Sequence, residues 1–213
     1  MNSNTIFLTL LLTLGLSFNT YAQKEDLVIK NIEANTATYA DAAMQIWNFA
    51  EMGYQEYKSS ALLIQILKDA GFSITPGVAG MPTAFIAEYG SGHPIIGILG
   101  EYDALPGLSQ AATPEQKPIT DGAPGHGCGH HLFGVGSAAS AIAISEWLTK
   151  TKTSGTIRFY GTPAEEGGGG KTYMVKAGLF DDVDAVLHWH PSSGNSADAS
   201  SSLANMSAKF RFY

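Results

Sequence analysis

The sequence predicts an α/β protein, a three-layer sandwich built around a mostly parallel central sheet. Three observations predict it. Apolar segments bounded by Gly and Pro alternate with segments of helical periodicity, the pattern of strand–crossover–strand units. "PIIGILG", residues 94–100, is apolar almost throughout, as a strand covered on both faces must be. Four polar clusters, "EYDALPG", "GHGCGHH", "PAEEGGGG" and "HWHP", fall at predicted strand ends or at a helix start. Open α/β sheets gather their ligand-binding residues at such places.

Taken in order, the chain opens on "IFLTLLLTLGLSF", Ile6 to Phe18, an apolar run too short to cross a bilayer at about 20 residues per span. Thr20 and Ala22 follow as small residues before polar "QKED". The reading is a signal peptide over residues 1–22, cleaved after Ala22, although no Lys or Arg precedes the apolar run. The mature protein is therefore expected to be exported, to the periplasm or beyond, with no stable membrane insertion. No later segment is expected to span a membrane.

Leu27, Ile29, Ile32, Met44, Ile46, Trp47 and Ala50 are spaced as one helical face that Gly53 stops. "SSALLIQILKDAG" is a second amphipathic helix, with Ser59 or Ser60 as its cap and Gly71 as its end. "MPTAFIAEYG" and "PIIGILG" read as strands, and a long polar connection, "LPGLSQAATPEQKPITDGAPGHG", then leads to the next helix. That helix, "HHLFGVGSAASAIAISEWLTK", carries small residues suited to close packing on a sheet. "GTIRFYG" is a strand, "KTYMVKAGLF" a short helix, and "VDAVLHWHP" a last strand stopped by Pro191.

Composition narrows the function. Twelve Lys and Arg against nineteen Asp and Glu give a net charge of -7, which argues against a nucleic-acid partner, since phosphate neutralisation needs clustered cations. "EEGGGGKT" fails as a phosphate loop because Glu165 stands where the first glycine belongs. "GHGCGH" fails as a dinucleotide fingerprint because His130 replaces its last glycine.

The single cysteine, Cys128, has no partner for an internal disulfide. It is a nucleophile, an intermolecular link, a packing residue or a metal ligand. Cys128 and His130, one residue apart, suit a borderline-soft divalent ion, and a following helix N-terminus would lower the thiol pKa. Glu165 and Glu166 offer one carboxylate for a metal and one as a general base. In "HWHP", His190 lies nearer the sheet end than His188 and is the favoured ligand. Asp103 is placed to orient a ligand from behind. A cysteine hydrolase using Cys128 competes, but it leaves Glu165, Glu166 and His190 unused.

With "GEYDALPGLSQ", "GHGCGHHLFGVGSAA", "GTPAEEGGGGK" and "HWHP" in this order, the chain resembles the metal-dependent amidohydrolases of the aminoacylase–carboxypeptidase superfamily. Within it, the branch of aminobenzoyl-glutamate utilisation protein B-like amidohydrolases is the most similar. The resemblance implies two divalent ions, Zn2+ or Mn2+, held by Cys128, His130, Glu166 and His190. It makes Glu165 the general base and places Asp103 in support. The implied substrate is a small-molecule amide, an N-acyl amino acid or an aminobenzoyl-glutamate-like compound. His131 stands where these relatives carry Asn.

The resemblance also implies that residues 23–205 are the amino-terminal part of a catalytic domain. Residues 206–213 would begin a lid and dimerisation domain, the source of a homodimer in the full-length form. On that reading this chain alone binds metal weakly and is an inactive fragment with an unfinished sheet edge. A non-catalytic protein with a binding role is the alternative.

Overall fold

A computed structural model describes residues 27–197, 201 and 208–213. The expected signal peptide and the expected boundary at residues 205–206 lie outside the described residues. Helix α1 (residues 27–34) runs through a break at Asn35 into α2 (Thr36–Phe49). Then come α3 (Tyr57–Asp69), β1 (Ser73–Pro76), a short 3-10 turn (Val78–Gly80), β2 (Phe85–Ser91) and β3 (Ile95–Gly100). A long connection leads to α4 (His130–Thr151), followed by β4 (Gly155–Gly161), α5 (Gly170–Lys176) and β5 (Ala185–Leu187).

The five strands of the described residues form one sheet in the order β1-β2-β4-β3-β5. The α/β class holds, and the sheet is mixed: β4 and β5 both run parallel to β3, whereas β2 is antiparallel to β1 and β4. β3 and β4 are central and almost wholly buried, which accounts for the unbroken apolar run of "IIGILG". β1 escapes sequence reading because it is short, mostly exposed and ends in a proline.

Helices α2, α3 and α4 cover one face of the sheet, where Ile46, Leu63, Leu67, Ala138 and Phe159 form the main core. The other face is packed by Met174 of α5 with Val78, Met81, Leu99 and Tyr160. α4 has the length and composition of a membrane span, against expectation, but it is a mostly buried core helix on β3 and β4. Gly134 explains how close it comes: a Cβ there would lie 2.6 Å from the Glu101 carbonyl oxygen. β5 is one of the two sheet edges among the described residues, with Val186 and Leu187 exposed.

Helix ends correct two expectations. α2 ends at Phe49, with Ala50 left-handed (φ 43) and donating its N–H to the Ile46 carbonyl, so Gly53 is not its terminator. Ile29 and Met44 are exposed, and the buried face is Ala42, Ala43 and Ile46. Ser59 and Ser60 lie inside α3 rather than capping it. The Glu51 carboxylate accepts the N–H groups of Lys58 and Ser59 instead, meeting the orphan donors of the first turn. Gly71 does end α3: its N–H reaches Lys68 and that of Phe72 reaches Leu67, the paired bonds of a left-handed glycine cap.

Candidate metal centre

Three loops meet beyond the carboxyl ends of β3, β4 and β5. β3 delivers Glu101 and Asp103, both buried although charged. The connection after β3 is pinned by reciprocal backbone bonds between Leu105 and Gly125, which bring Cys128 to the start of α4. β4 leads into the "PAEE" turn, where Ala164 adopts φ +54 and Gly168 donates to the Ala164 carbonyl. β5 stops at Leu187, so His188, Trp189 and His190 lie beyond the strand and not along it. The last strand, expected to run to Pro191, is shorter than the sequence suggested and contains neither histidine.

His130 is the hub, fully buried at the first residue of α4. Its Nδ1 lies 3.0 Å from the Asp103 carbonyl and 2.9 Å from Asp103 Oδ1. Both are acceptors, so Nδ1 carries the proton and Nε2 faces the other candidate ligands. Nε2 is 2.9 Å from Glu101 Oε2, 3.9 Å from Glu165 Oε2 and 4.0 Å from Glu166 Oε1. Asp103 Oδ2 also accepts the Glu166 N–H at 2.8 Å, so one carboxylate ties the helix start to the glutamate turn.

Among the described residues, two groups of side chains place their donor atoms within 4.8 Å of one another: Cys128, His130 and His190, and Glu101, His130 and Glu165. Glu166 adjoins both, through His130 and through a hydrogen bond from the Cys128 thiol. Thus Cys128, His130, Glu165, Glu166 and His190 converge, with Asp103 behind them. His188 faces the same region, its Nε2 3.5 Å from Glu101 Oε1.

Electrostatics show a site crowded with negative charge. Burial acts to lower the His130 pKa, but hydrogen bonds to Asp103 and Glu101 override it and raise it to about 10. Burial acts to raise Glu101, yet His130 and Lys171, which both bond to it, hold it at about 2. The Cys128 thiol is pushed up to about 11 by its bond to Glu166, by burial and by the charges of Glu165 and Asp103. The expected lowering by the helix N-terminus is thus reversed, since nearby carboxylates outweigh a partial dipole charge.

A divalent cation fits this donor set. Glu101 Oε2 and His130 Nε2 face each other at 2.9 Å with no other hydrogen-bond partner, and Glu166 Oε1 is buried without one. Orphaned polar atoms of this kind are costly unless something meets them. A thiol, imidazoles and carboxylates together match a borderline-soft ion. His126 and His131 stand apart from the cluster, packed with Trp47 and lowered to about 4, chiefly by burial. His126 is bound to the Ile46 carbonyl at 3.0 Å.

Residues 97–203, which contain every candidate ligand, match the model of Peptidase family M20/M25/M40. The chain belongs to peptidase family M20. It is 49% identical over 182 residues to one of the subunits of p-aminobenzoyl-glutamate hydrolase from Escherichia coli K12, covering 85% of this chain and 38% of that protein. It is 32% identical over 169 residues to human Xaa-Arg dipeptidase, covering 71% and 35%. The chain therefore spans under two-fifths of the length of these M20 relatives.

Among solved structures it is similar to the Bacillus subtilis YXEP protein, a dinuclear metal-binding peptidase of the M20 family. The TM-score is 0.57 at 25% identity, over 72% of this chain and 42% of that one. It also resembles an aminobenzoyl-glutamate utilization protein of Klebsiella pneumoniae, with a TM-score of 0.55 over 76% of this chain and 45% of that one. At 18% identity that likeness is one of fold.

Sequence reasoning missed Glu101 and Lys171 in this M20 site. A signal for Glu101 existed: an acid directly after a strand apolar on both faces has no solvent to face and needs a partner. Lys171 reads only as the end of a glycine run, and its pairing with Glu101 spans 70 residues.

Proposed function

We propose that this chain carries the metal-binding part of an amidohydrolase that cleaves the amide bond of an N-acyl amino acid or an aminobenzoyl-glutamate-like substrate. The observation that carries the reading is the meeting of Cys128, His130 and His190 beside the Glu165–Glu166 turn, with Glu166 Oε1 buried and unmet at its centre. The kinship with a component of p-aminobenzoyl-glutamate hydrolase supports the substrate class.

On this reading Cys128, His130, Glu166 and His190 hold two divalent ions, Zn2+ or Mn2+. Such ions polarise a carbonyl and make water nucleophilic near neutral pH. Asp103 fixes the His130 ring so that Nε2 points into the site. Glu165, the more exposed of the paired glutamates, takes a proton from the attacking water on its carboxylate. The C–O bond forms in that attack, and Glu165 then returns the proton to the leaving nitrogen as the C–N bond breaks.

The test pairs metal analysis with hydrolysis of aminobenzoyl-glutamate, in this chain and in a protein of the M20 relatives' full length. Loss of activity with a chelator and recovery with Zn2+ or Mn2+ is the expected result. Chelator-resistant activity abolished by thiol alkylation would replace this reading with a cysteine amidase. Full-length protein that binds neither metal nor substrate would leave a non-catalytic role.

A further inference from the structure

The turn between α2 and α3 contributes none of the proposed ligands, yet it grips the glutamate turn at both ends. Gly53 sits against Ala164, where a Cβ would come within 2.9 Å of the alanine Cβ. The Tyr54 hydroxyl donates to the Gly168 carbonyl at 2.6 Å. Glu56 is fully buried; its Oε1 accepts the Ala164 N–H at 2.8 Å and its Oε2 accepts the Thr83 hydroxyl at 2.9 Å. Thr83 is anchored in turn, because its carbonyl accepts the Tyr102 hydroxyl at 2.6 Å.

These bonds matter because of what they hold. Ala164 keeps a left-handed backbone that residues with a Cβ rarely adopt, and such a conformation persists only where its surroundings enforce it. Glu56 fixes the Ala164 N–H on one side of Glu165 and Glu166, and Tyr54 fixes Gly168 on the other. Asp103 holds the Glu166 N–H between them. The bonds from Glu56 and Tyr54 run to backbone, so they set the path of the turn and leave the two carboxylates free for chemistry.

We propose that Tyr54 and Glu56 are positioning residues that hold the Ala164–Gly168 turn so that Glu165 and Glu166 project into the metal centre. The consequence for metal rests on the function proposed above; the brace itself does not.

The experiment measures backbone amide exchange over residues 163–169, affinity for Mn2+ and Zn2+, and thermal unfolding. It compares the wild-type chain with Tyr54→Phe, Glu56→Ala and Glu56→Gln. Tyr54→Phe is expected to speed exchange in this turn about tenfold, with α4 unchanged, as loss of one hydrogen bond implies. Metal affinity should fall by roughly tenfold, at the lower end for groups that orient ligands, without a matching fall in unfolding temperature. Glu56→Ala should speed exchange and weaken metal binding more strongly, with a fall in unfolding temperature from the buried groups it leaves unpaired. Glu56→Gln, whose amide oxygen still accepts the Ala164 N–H, should restore both readouts.

Unchanged exchange in Tyr54→Phe and Glu56→Ala overturns the brace. Faster exchange with unchanged metal affinity overturns the positioning role. If Glu56→Ala does not fold, Tyr54→Phe decides alone, since Tyr54 lies at the surface. If the wild-type chain and the full-length protein bind no metal, the proposed function fails, and the exchange readout by itself upholds or overturns the brace.

Discussion

Asp103 Oδ1 lies 2.9 Å from His130 Nδ1, and its second oxygen accepts the Glu166 N–H at 2.8 Å. The residue needs two acceptor oxygens at once. Asp103→Asn supplies one acceptor and one donor, so either the Glu166 N–H loses its partner or His130 keeps only the Asp103 backbone carbonyl. Metal affinity is expected to fall about 10–100-fold, as for other groups that orient a metal-binding histidine. A stability loss of about 1–3 kcal/mol should accompany it. Calorimetric metal titration and urea unfolding check both, and unchanged affinity would remove Asp103 from the site.

Glu165→Gln separates binding from chemistry. The amide cannot accept the water's proton, so turnover in an active full-length protein should drop by about 10²–10⁴-fold. Metal content should be retained, because Glu166 and not Glu165 is the proposed ligand. Full activity in this variant would discard the proposed general base.

Gly134→Ala tests the approach of α4 to β3. The new Cβ would meet the Glu101 carbonyl oxygen at 2.6 Å and the Leu63 side chain at 3.3 Å. The first neighbour is backbone and cannot rotate away. Overpacking of this kind costs about 1–3 kcal/mol, readable as a lower urea midpoint. A midpoint equal to wild type would show that the helix and strand are less tightly apposed than here.

Asp184, just before β5, contributes to the acid limb of stability. It accepts the Ile95 N–H at 2.7 Å and lies 2.7 Å from His93 Nδ1, and these bonds hold its pKa below the ordinary 3.8. A lowered carboxylate pKa means stability that is present above 3.8 and lost as pH falls through the folded-state value. Asp184→Asn should therefore flatten the pH dependence of unfolding below about pH 4. An unaltered acid limb would assign it to other carboxylates.

Much of this was legible along the chain. "IIGILG" announced a buried strand because a strand covered on both faces has no polar side to show. Cys128, His130, Glu165, Glu166 and His190 were legible because each sits in a polar cluster at the end of an apolar element. Gly71 was legible because its left-handed cap depends on bonds within five residues. Ser59 as a cap was not, because Glu51 reaches the helix start from outside it. Nor was the rise in the Cys128 pKa, which depends on carboxylates brought from two other strand ends.

The sequence by itself determined the α/β class, the family resemblance and the residue types offered for the candidate metal centre. Those follow from periodicity and from motifs readable within a few residues. Only the tertiary structure decided the mixed pairing of the sheet, the role of Glu101 opposite His130, and the grip of Tyr54 and Glu56 on the glutamate turn. Each depends on contacts between segments distant along the chain. The Glu56–Ala164 bond joins positions 108 residues apart, a pairing that no local pattern encodes.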